Sequence, residues 1–200
     1  MKKRRLSLVF FLGAGLILCG LCLALVFGLR VSAGSRHSRM VVSCIEQVLP
    51  EKTQGIPELY PNSGMPVLEI DGTDYVALLE IPAFGLTLPV ADQWDRLKLS
   101  QSPARFWGSA YDHTLVVGGT DSAQQFGFCD KIEHGALVIL TDMTGAQFAY
   151  TVTDIDRAKH AETHWLTDAD CDLTLFCHDL YAMEYLAVRC VFTYNEQGPT

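Results

Sequence analysis

No acidic residue occurs in the first 45 positions of this 200-residue chain, and basic residues are scarce beyond position 30. Removing Lys2, Lys3, Arg4, Arg5 and Arg30 from the fifteen basic residues leaves ten against twenty-three acidic ones, a net charge of −13 for the part after residue 30. A surface of that sign repels phosphate backbones, which excludes nucleic acid as a partner. Metal-ligand spacing is also missing. Outside the N-terminal apolar segment the seven cysteines form no Cys-x-x-Cys or Cys/His pattern of a zinc site, and no metal or cofactor is expected. Five of them (Cys44, Cys129, Cys171, Cys177, Cys190) lie after residue 30, an odd number that reads as scattered thiols rather than a disulfide framework. His160, His164 and His178, and the run Asp168, Asp170 and Asp172, read as ordinary loop and strand residues, because no glycine turn or following glutamate completes a calcium loop.

Charge is wholly lacking from Leu6 to Leu29, twenty-four residues that exceed the roughly 20 needed to cross a bilayer as a helix. A cleaved secretory signal has a shorter apolar core, so the run reads as a retained anchor even though Val31-Ser32-Ala33 offers small residues. The basic cluster Lys2 to Arg5 places the N-terminus in the cytoplasm and the rest outside. The expected organisation is a basic tail and transmembrane helix over 1–30, a short helix and Pro-rich linker over 31–66, a β-barrel over 67–194, and a tail over 195–200.

Within the second segment, Met40, Val41, Ile45, Val48 and Leu49 fall near helical spacing, whereas four prolines and two glycines between Pro50 and Pro66 exclude a helix or central strand. Beyond residue 66 the pattern shortens to strands. Val67–Ile70 and Tyr75–Ile81 flank Asp71-Gly72, a dipeptide suited to the positive φ angles of a tight hairpin. Further strands are expected at Leu86–Val90, Thr114–Val117, Ala136–Thr141, Ala146–Asp154, Asp172–His178 and Tyr185–Thr193, with a turn at Asp142–Gly145 and a helical patch at Gln93–Leu99. This alternation predicts an all-β fold, a closed barrel of about eight strands with short helices.

Particular segments carry a resemblance. Tyr75 to Pro82 with Gly85-Leu86 and Leu88-Pro89-Val90, Gly108 to Tyr111 running into Leu115-Val116-Val117-Gly118-Gly119 and Phe126-Gly127, and Asp172 to Phe176 with Val188-Arg189-Cys190 together resemble the sortases, class B/D-like. These are membrane-anchored cysteine transpeptidases of Gram-positive bacteria. The likeness implies the barrel, the anchor, and a groove that takes a sorting-signal-like peptide.

The three positions that carry the family's chemistry are changed. Where the family reads Gly-His this chain has Gly119-Thr120. Where the family's cysteine follows Leu-Thr-Leu-Phe-Thr, His178 follows Cys177, and Tyr185 stands at the arginine position seven residues later. Transpeptidation needs a thiolate nucleophile, an acid for the leaving amine and a cationic donor for the oxyanion. An imidazole gives a labile acyl group, an aliphatic hydroxyl is no acid near neutrality, and a phenol is a weaker donor than a guanidinium. Strand alternation puts Leu173, Leu175 and Cys177 on the core face, and Thr174, Phe176 and His178 on the other. Cys177 therefore reads as a structural thiol. On the last strand Tyr185 and Arg189 share the outer face, about 13 Å apart at roughly 3.3 Å per residue, and Arg189 reads as a surface cation.

The resemblance thus implies a non-catalytic homologue on the cell surface. Its ligand groove would comprise Thr120, Asp121, His178 and Tyr185 and would bind a peptide or a cell-surface protein. Two other readings remain: a sortase-type transpeptidase or hydrolase using Cys177, and a structural subunit of cell-wall or pilus assembly.

Overall fold

The computed structural model describes residues 16–22, 36–60, 64–160, 162–167, 170–179 and 182–193, in two units that divide between His37 and Ser38. In the first unit, residues 16–22 are helical with Leu16, Ile17, Leu18 and Leu21 exposed. The apolar run Leu6–Leu29 lies mostly outside the described residues. Among those described, no helix is long and apolar enough to cross a membrane. The tail over 195–200 is likewise outside them.

The described residues of the second unit form ten strands: β1 (Thr53–Gln54), β2 (Leu68–Ile70), β3 (Thr73–Ile81), β4 (Leu86–Ala91), β5 (Ala104–Trp107), β6 (Leu115–Gly118), β7 (Leu137–Asp142), β8 (Ala146–Ala158), β9 (Leu173–Asp179) and β10 (Glu184–Phe192). Their order runs β1-β8-β10-β9-β6-β5-β4-β3-β2, and β7 pairs with both β3 and β8. That last pairing closes β3 to β10 into an eight-stranded barrel, with β1 and β2 added outside the ring. Closure leaves no unpaired edge among those eight strands.

Local chemistry explains the joints. Asp71 and Gly72 both take positive φ (50° and 71°), the two-residue turn whose twist matches antiparallel strands, and β2 pairs with β3 from Leu68↔Tyr75 to Ile70↔Thr73. At the β7–β8 turn the buried Asp142 carboxylate accepts from Thr144 N (2.8 Å), Thr144 Oγ1 (2.7 Å), Ala146 N (2.9 Å) and the Tyr111 hydroxyl (2.6 Å). A fully hydrogen-bonded carboxylate is the form in which a charge is tolerated inside.

Side chains fill the barrel from seven of the eight strands, β5 excepted, with Val76, Leu79, Leu88, Val117, Val138, Phe148, Val152, Leu175 and Val188 in one buried cluster. Along residues 36–48 the predicted helix forms. It buries Val41 and Ile45 against Tyr75, Leu78, Ala91 and Ala104, outside the barrel wall of β3, β4 and β5. Each such aliphatic side chain contributes about 1.5–3 kcal/mol on full burial. The Pro-rich stretch is laid on the barrel: β1 pairs in parallel with β8, Tyr60 stacks on Tyr111 at 4.4 Å, and Met65 is buried.

Two local expectations are corrected. Gln93–Leu99 is not helical: the Asp95 carboxylate accepts the Leu97 amide (2.9 Å), and the segment stays in bends and turns. Lys98 N and Leu99 N donate to Asp95 O (3.0 and 3.1 Å), so Asp95 caps a single turn, while Trp94 before it is packed on Phe106 and Phe176. Strand β5 was not anticipated, because four residues beginning just after Pro103 carry too little periodicity to register.

Candidate functional site

The candidate site lies where β6, β9 and β10 run side by side. Strands β6 and β9 are parallel with Leu115↔Leu173 through Gly118↔Phe176 in register, and Gly119 N donates to Phe176 O at 3.0 Å. The paired register ends at Gly118, and Thr120 follows two residues later, beyond the strand. On the other side of β9, His178 is paired directly with Tyr185 of β10. Their rings meet edge to face with centroids 4.6 Å apart, and both are half-buried.

Thr120 begins a turn that runs to Ile132. Its hydroxyl donates to Gln125 Oε1 (2.9 Å) and lies 3.2 Å from Ser122 Oγ, while its amide also donates to Gln125 Oε1 (3.0 Å). Gln125 in turn donates from Nε2 to Leu99 O (2.8 Å), tying this turn to the 93–102 segment. The threonine hydroxyl is therefore engaged in holding the loop. Asp121 follows, half-buried.

Cys177 is on the opposite face of β9. It is 1% exposed, packs in the barrel cluster with Leu173, Leu175, Leu186 and Val188, and its thiol points at Phe126 O (3.8 Å). Cys129 and Cys190 are buried in the same cluster, and burial pushes both thiols up from the ordinary value of 9.0. For Cys129 the neighbouring Cys177 and Cys190 thiols and the Asp121 charge add to the effect.

Arg189 is not the surface cation that strand alternation implied. It does lie on the outer face, but that face is covered. Its guanidinium donates to Asp156 Oδ2 (2.9 Å), Thr174 Oγ1 (3.0 Å), Leu166 O (3.3 Å) and Trp165 O (2.6 Å), and sits 5.0 Å from the Trp165 ring. These contacts bind the short helix Thr163–Thr167 to the barrel, with Leu166 packed on Val116, Phe176 and Ala187. Period-2 patterning reveals which way a side chain points and not what packs over it.

The second surface the sequence did not disclose is aromatic. Trp94 stacks on Phe176 (5.5 Å) and meets Phe106 edge to face (5.2 Å), so the outer wall next to His178 and Tyr185 is apolar. Gly118 is required beneath it, since a Cβ there would lie 2.3 Å from Trp94 Cζ3 and 2.6 Å from Phe176 Cζ. A tryptophan opposite a strand glycine is a usable signal, but only once β4, β5 and β6 are known to adjoin. A separate cavity of about 170 Å³ opens beside the β2–β3 hairpin, lined by Asp74, Tyr75, Asp95, Lys98, Gln101 and Ser102 among others. None of Thr120, His178 or Tyr185 lines it.

Among the described residues no group of three or more His, Cys, Asp or Glu side chains converges as a metal site. Asp168, the first of the three alternating aspartates, lies outside the described residues. His113 and Asp172 form a pair at 3.0 Å, at the N-terminal ends of β6 and β9 and so at the far end of those strands from Thr120 and His178.

The closed barrel thus sets β6, β9 and β10 side by side, with His178 against Tyr185. The sortase domain model matches residues 79–193, more than half of the chain, and the chain belongs to the sortase family. Among solved structures it is similar to sortase C1 of Streptococcus agalactiae (21% identity, TM-score 0.55, covering 68% of this chain and 75% of that one). Similar too are sortase A of Corynebacterium diphtheriae (17%, 0.53, 83% and 85%) and sortase C of Clostridium perfringens with its C-terminal cell wall sorting motif (20%, 0.52, 70% and 80%). At these identities the likeness speaks for the fold alone. No curated protein matches the sequence.

Proposed function

We propose that this chain is a sortase-family domain without transpeptidase chemistry, which binds a peptide or protein partner at the cell surface. The observation that carries the reading is the burial of Cys177 in the barrel core, while the outer face at that level holds His178 and Tyr185. A nucleophile must meet an acyl carbon, and a thiol enclosed by Leu173, Leu175 and Leu186 does not. Thr120, engaged by Gln125, has no proton of suitable acidity to give a leaving amine. What the outer face offers is recognition: an aromatic pair at the strand ends and the Trp94–Phe106–Phe176 surface beside it. An extended peptide carrying a sorting-like signal fits such a surface by the same route as in the family, and the apolar run Leu6–Leu29 would hold the domain at the membrane with residues 31–200 outside.

The test pairs chemistry with binding. The chain is incubated with a sorting-signal-like peptide, then assayed by intact mass for an acyl adduct and by pull-down for a retained complex. Retention without an adduct supports the reading, and an adduct on Cys177 establishes the displaced-nucleophile enzyme in its place. Protease shaving of intact cells should remove the domain. Its survival would reject the extracellular orientation.

A further inference from the structure

The cavity of about 170 Å³ beside the β2–β3 hairpin stands apart from the groove, and its lining carries charge of both signs. Buried groups close its floor: Tyr75 of β3, Ala91 at the end of β4, and Ser102 and Ala104 at the entry to β5. Around the opening stand the carboxylates of Asp74 and Asp95, the Lys98 ammonium and the Gln101 amide. One Asp95 oxygen accepts the Leu97 amide (2.9 Å), which leaves the second oxygen. Lys98 forms an ion pair with neither aspartate. Among the described residues no hydrogen bond or ion pair engages the Asp74, Lys98 or Gln101 side chains. Opposite charges that share a cavity without meeting leave a gap that a molecule carrying both charges would bridge.

We infer that this cavity binds a small zwitterion, of the class of free α-amino acids with a side chain no larger than a methyl or hydroxymethyl group. Size sets the upper limit. At about 30 Å³ per water the cavity holds the equivalent of about six waters, whereas pockets for drug-sized ligands run to about 300–1,000 Å³. Charge sets the rest. A bare cation meets the Lys98 ammonium and a simple anion meets two carboxylates, but an ammonium toward Asp74 and Asp95 with a carboxylate toward Lys98 and Gln101 answers both. The small side chain then lies on Ala91 and Ala104. The site is separate from the groove but joined to it. Trp94 stands between the lining residues Gln93 and Asp95, and its ring packs on Phe176 at 5.5 Å. Leu99 O, between Lys98 and Gln101, accepts from Gln125 Nε2 (2.8 Å), and Gln125 Oε1 accepts the Thr120 hydroxyl (2.9 Å). Residues 93–102 thus face the cavity on one side, and the Thr120 turn and the aromatic wall on the other. Their own backbone bonds are short-range, such as Lys98 N to Asp95 O (3.0 Å) and Gln101 N to Lys98 O (2.8 Å), so a ligand held by Asp95, Lys98 and Gln101 steadies the whole segment. This inference stands without the peptide-binding reading.

The full-length chain, purified in detergent, is titrated with L-alanine by equilibrium dialysis, and amide exchange is followed with and without it. The expected result is saturable one-to-one binding, with slower exchange over residues 93–102 and over the turn that begins at Thr120. N-acetyl-L-alanine, which lacks the ammonium, and L-alaninamide, which lacks the carboxylate, should each bind at least about tenfold more weakly, and L-tryptophan should not compete. Asp74→Asn and Lys98→Met should each lower the affinity at least about tenfold. If either variant folds poorly, the analogue series on the unaltered chain decides. Absence of saturable binding up to about 10 mM overturns the proposal. So does equal binding of the two blocked analogues, an affinity that neither substitution lowers, or exchange slowed only around His178 and Tyr185, which would put the amino acid in the groove.

Discussion

Replacing Arg189 by methionine tests how the outer wall of the barrel is held. Methionine keeps most of the apolar stem, so the change isolates the loss of the guanidinium head. That head makes four hydrogen bonds, to Asp156, Thr174 and the carbonyls of Trp165 and Leu166, and lies over the Trp165 ring. Stranding the partner of a buried pair costs about 3–5 kcal/mol. Here the Asp156 side chain is 40% exposed against 6% for Arg189, so water recovers the carboxylate and its share falls to about 1 kcal/mol or less. Thr174 and the two carbonyls lose a charged donor, with Leu166 and Thr174 both buried, and bonds of that kind are worth about 1.5–3 kcal/mol each at full burial. With Trp165 O rehydrated, the two bonds to buried acceptors give an expected loss of about 3–6 kcal/mol. Urea unfolding of the full chain should show it as a midpoint lowered by about 1.5–3 M at an ordinary slope of about 2 kcal/mol per M. Amide exchange should rise over Thr163–Thr167, the helix that the guanidinium anchors. A loss under about 0.5 kcal/mol, typical of an exposed substitution, would refute the reasoning.

Gly118→Ala drives a methyl into Trp94 and Phe176, and should cost about 1–3 kcal/mol with a red-shifted tryptophan emission; unchanged emission would mean that Trp94 does not rest there. Two tyrosines should respond oppositely to Phe. Tyr111→Phe loses a bond to the buried Asp142 carboxylate, about 1.5–3 kcal/mol, whereas Tyr150→Phe removes a buried hydroxyl that has no partner and should leave thermal stability equal or higher. Alkaline pH should unfold the chain progressively. Cys129 and Cys190 are raised from 9.0, and Tyr111 and Tyr150 from 10.0, all chiefly by burial, so the unfolded chain releases these protons first. Stability is then complete below the unfolded thiol value of about 8.5 and falls above it by about 1.4 kcal/mol per pH unit for each thiol, a slope that a pH series of urea midpoints measures directly.

Much of the frame was legible in the chain. The alternation of Leu173, Leu175 and Cys177 against Thr174, Phe176 and His178 is a property of any extended strand, and it gave the correct inward face for Cys177 before any neighbour was known. Asp71-Gly72 likewise specified its hairpin locally, through backbone φ alone. The helix over residues 36–48 followed from the spacing of Val41 and Ile45, each buried against the barrel wall. What the tertiary structure decided was contact between distant segments. The parallel pairing of β6 with β9 lays the strand that precedes Thr120 beside the strand that carries His178. The Thr163–Thr167 helix turns Arg189 from an apparent surface cation into a buried anchor, and the packing of Trp94 on Gly118, Phe106 and Phe176 holds in a loop a segment whose spacing looked helical. The physical reason is common to all three. Periodicity and turn chemistry act between residues a few positions apart, so they assign each side chain a face. What covers that face is set by non-local packing, which no local pattern encodes.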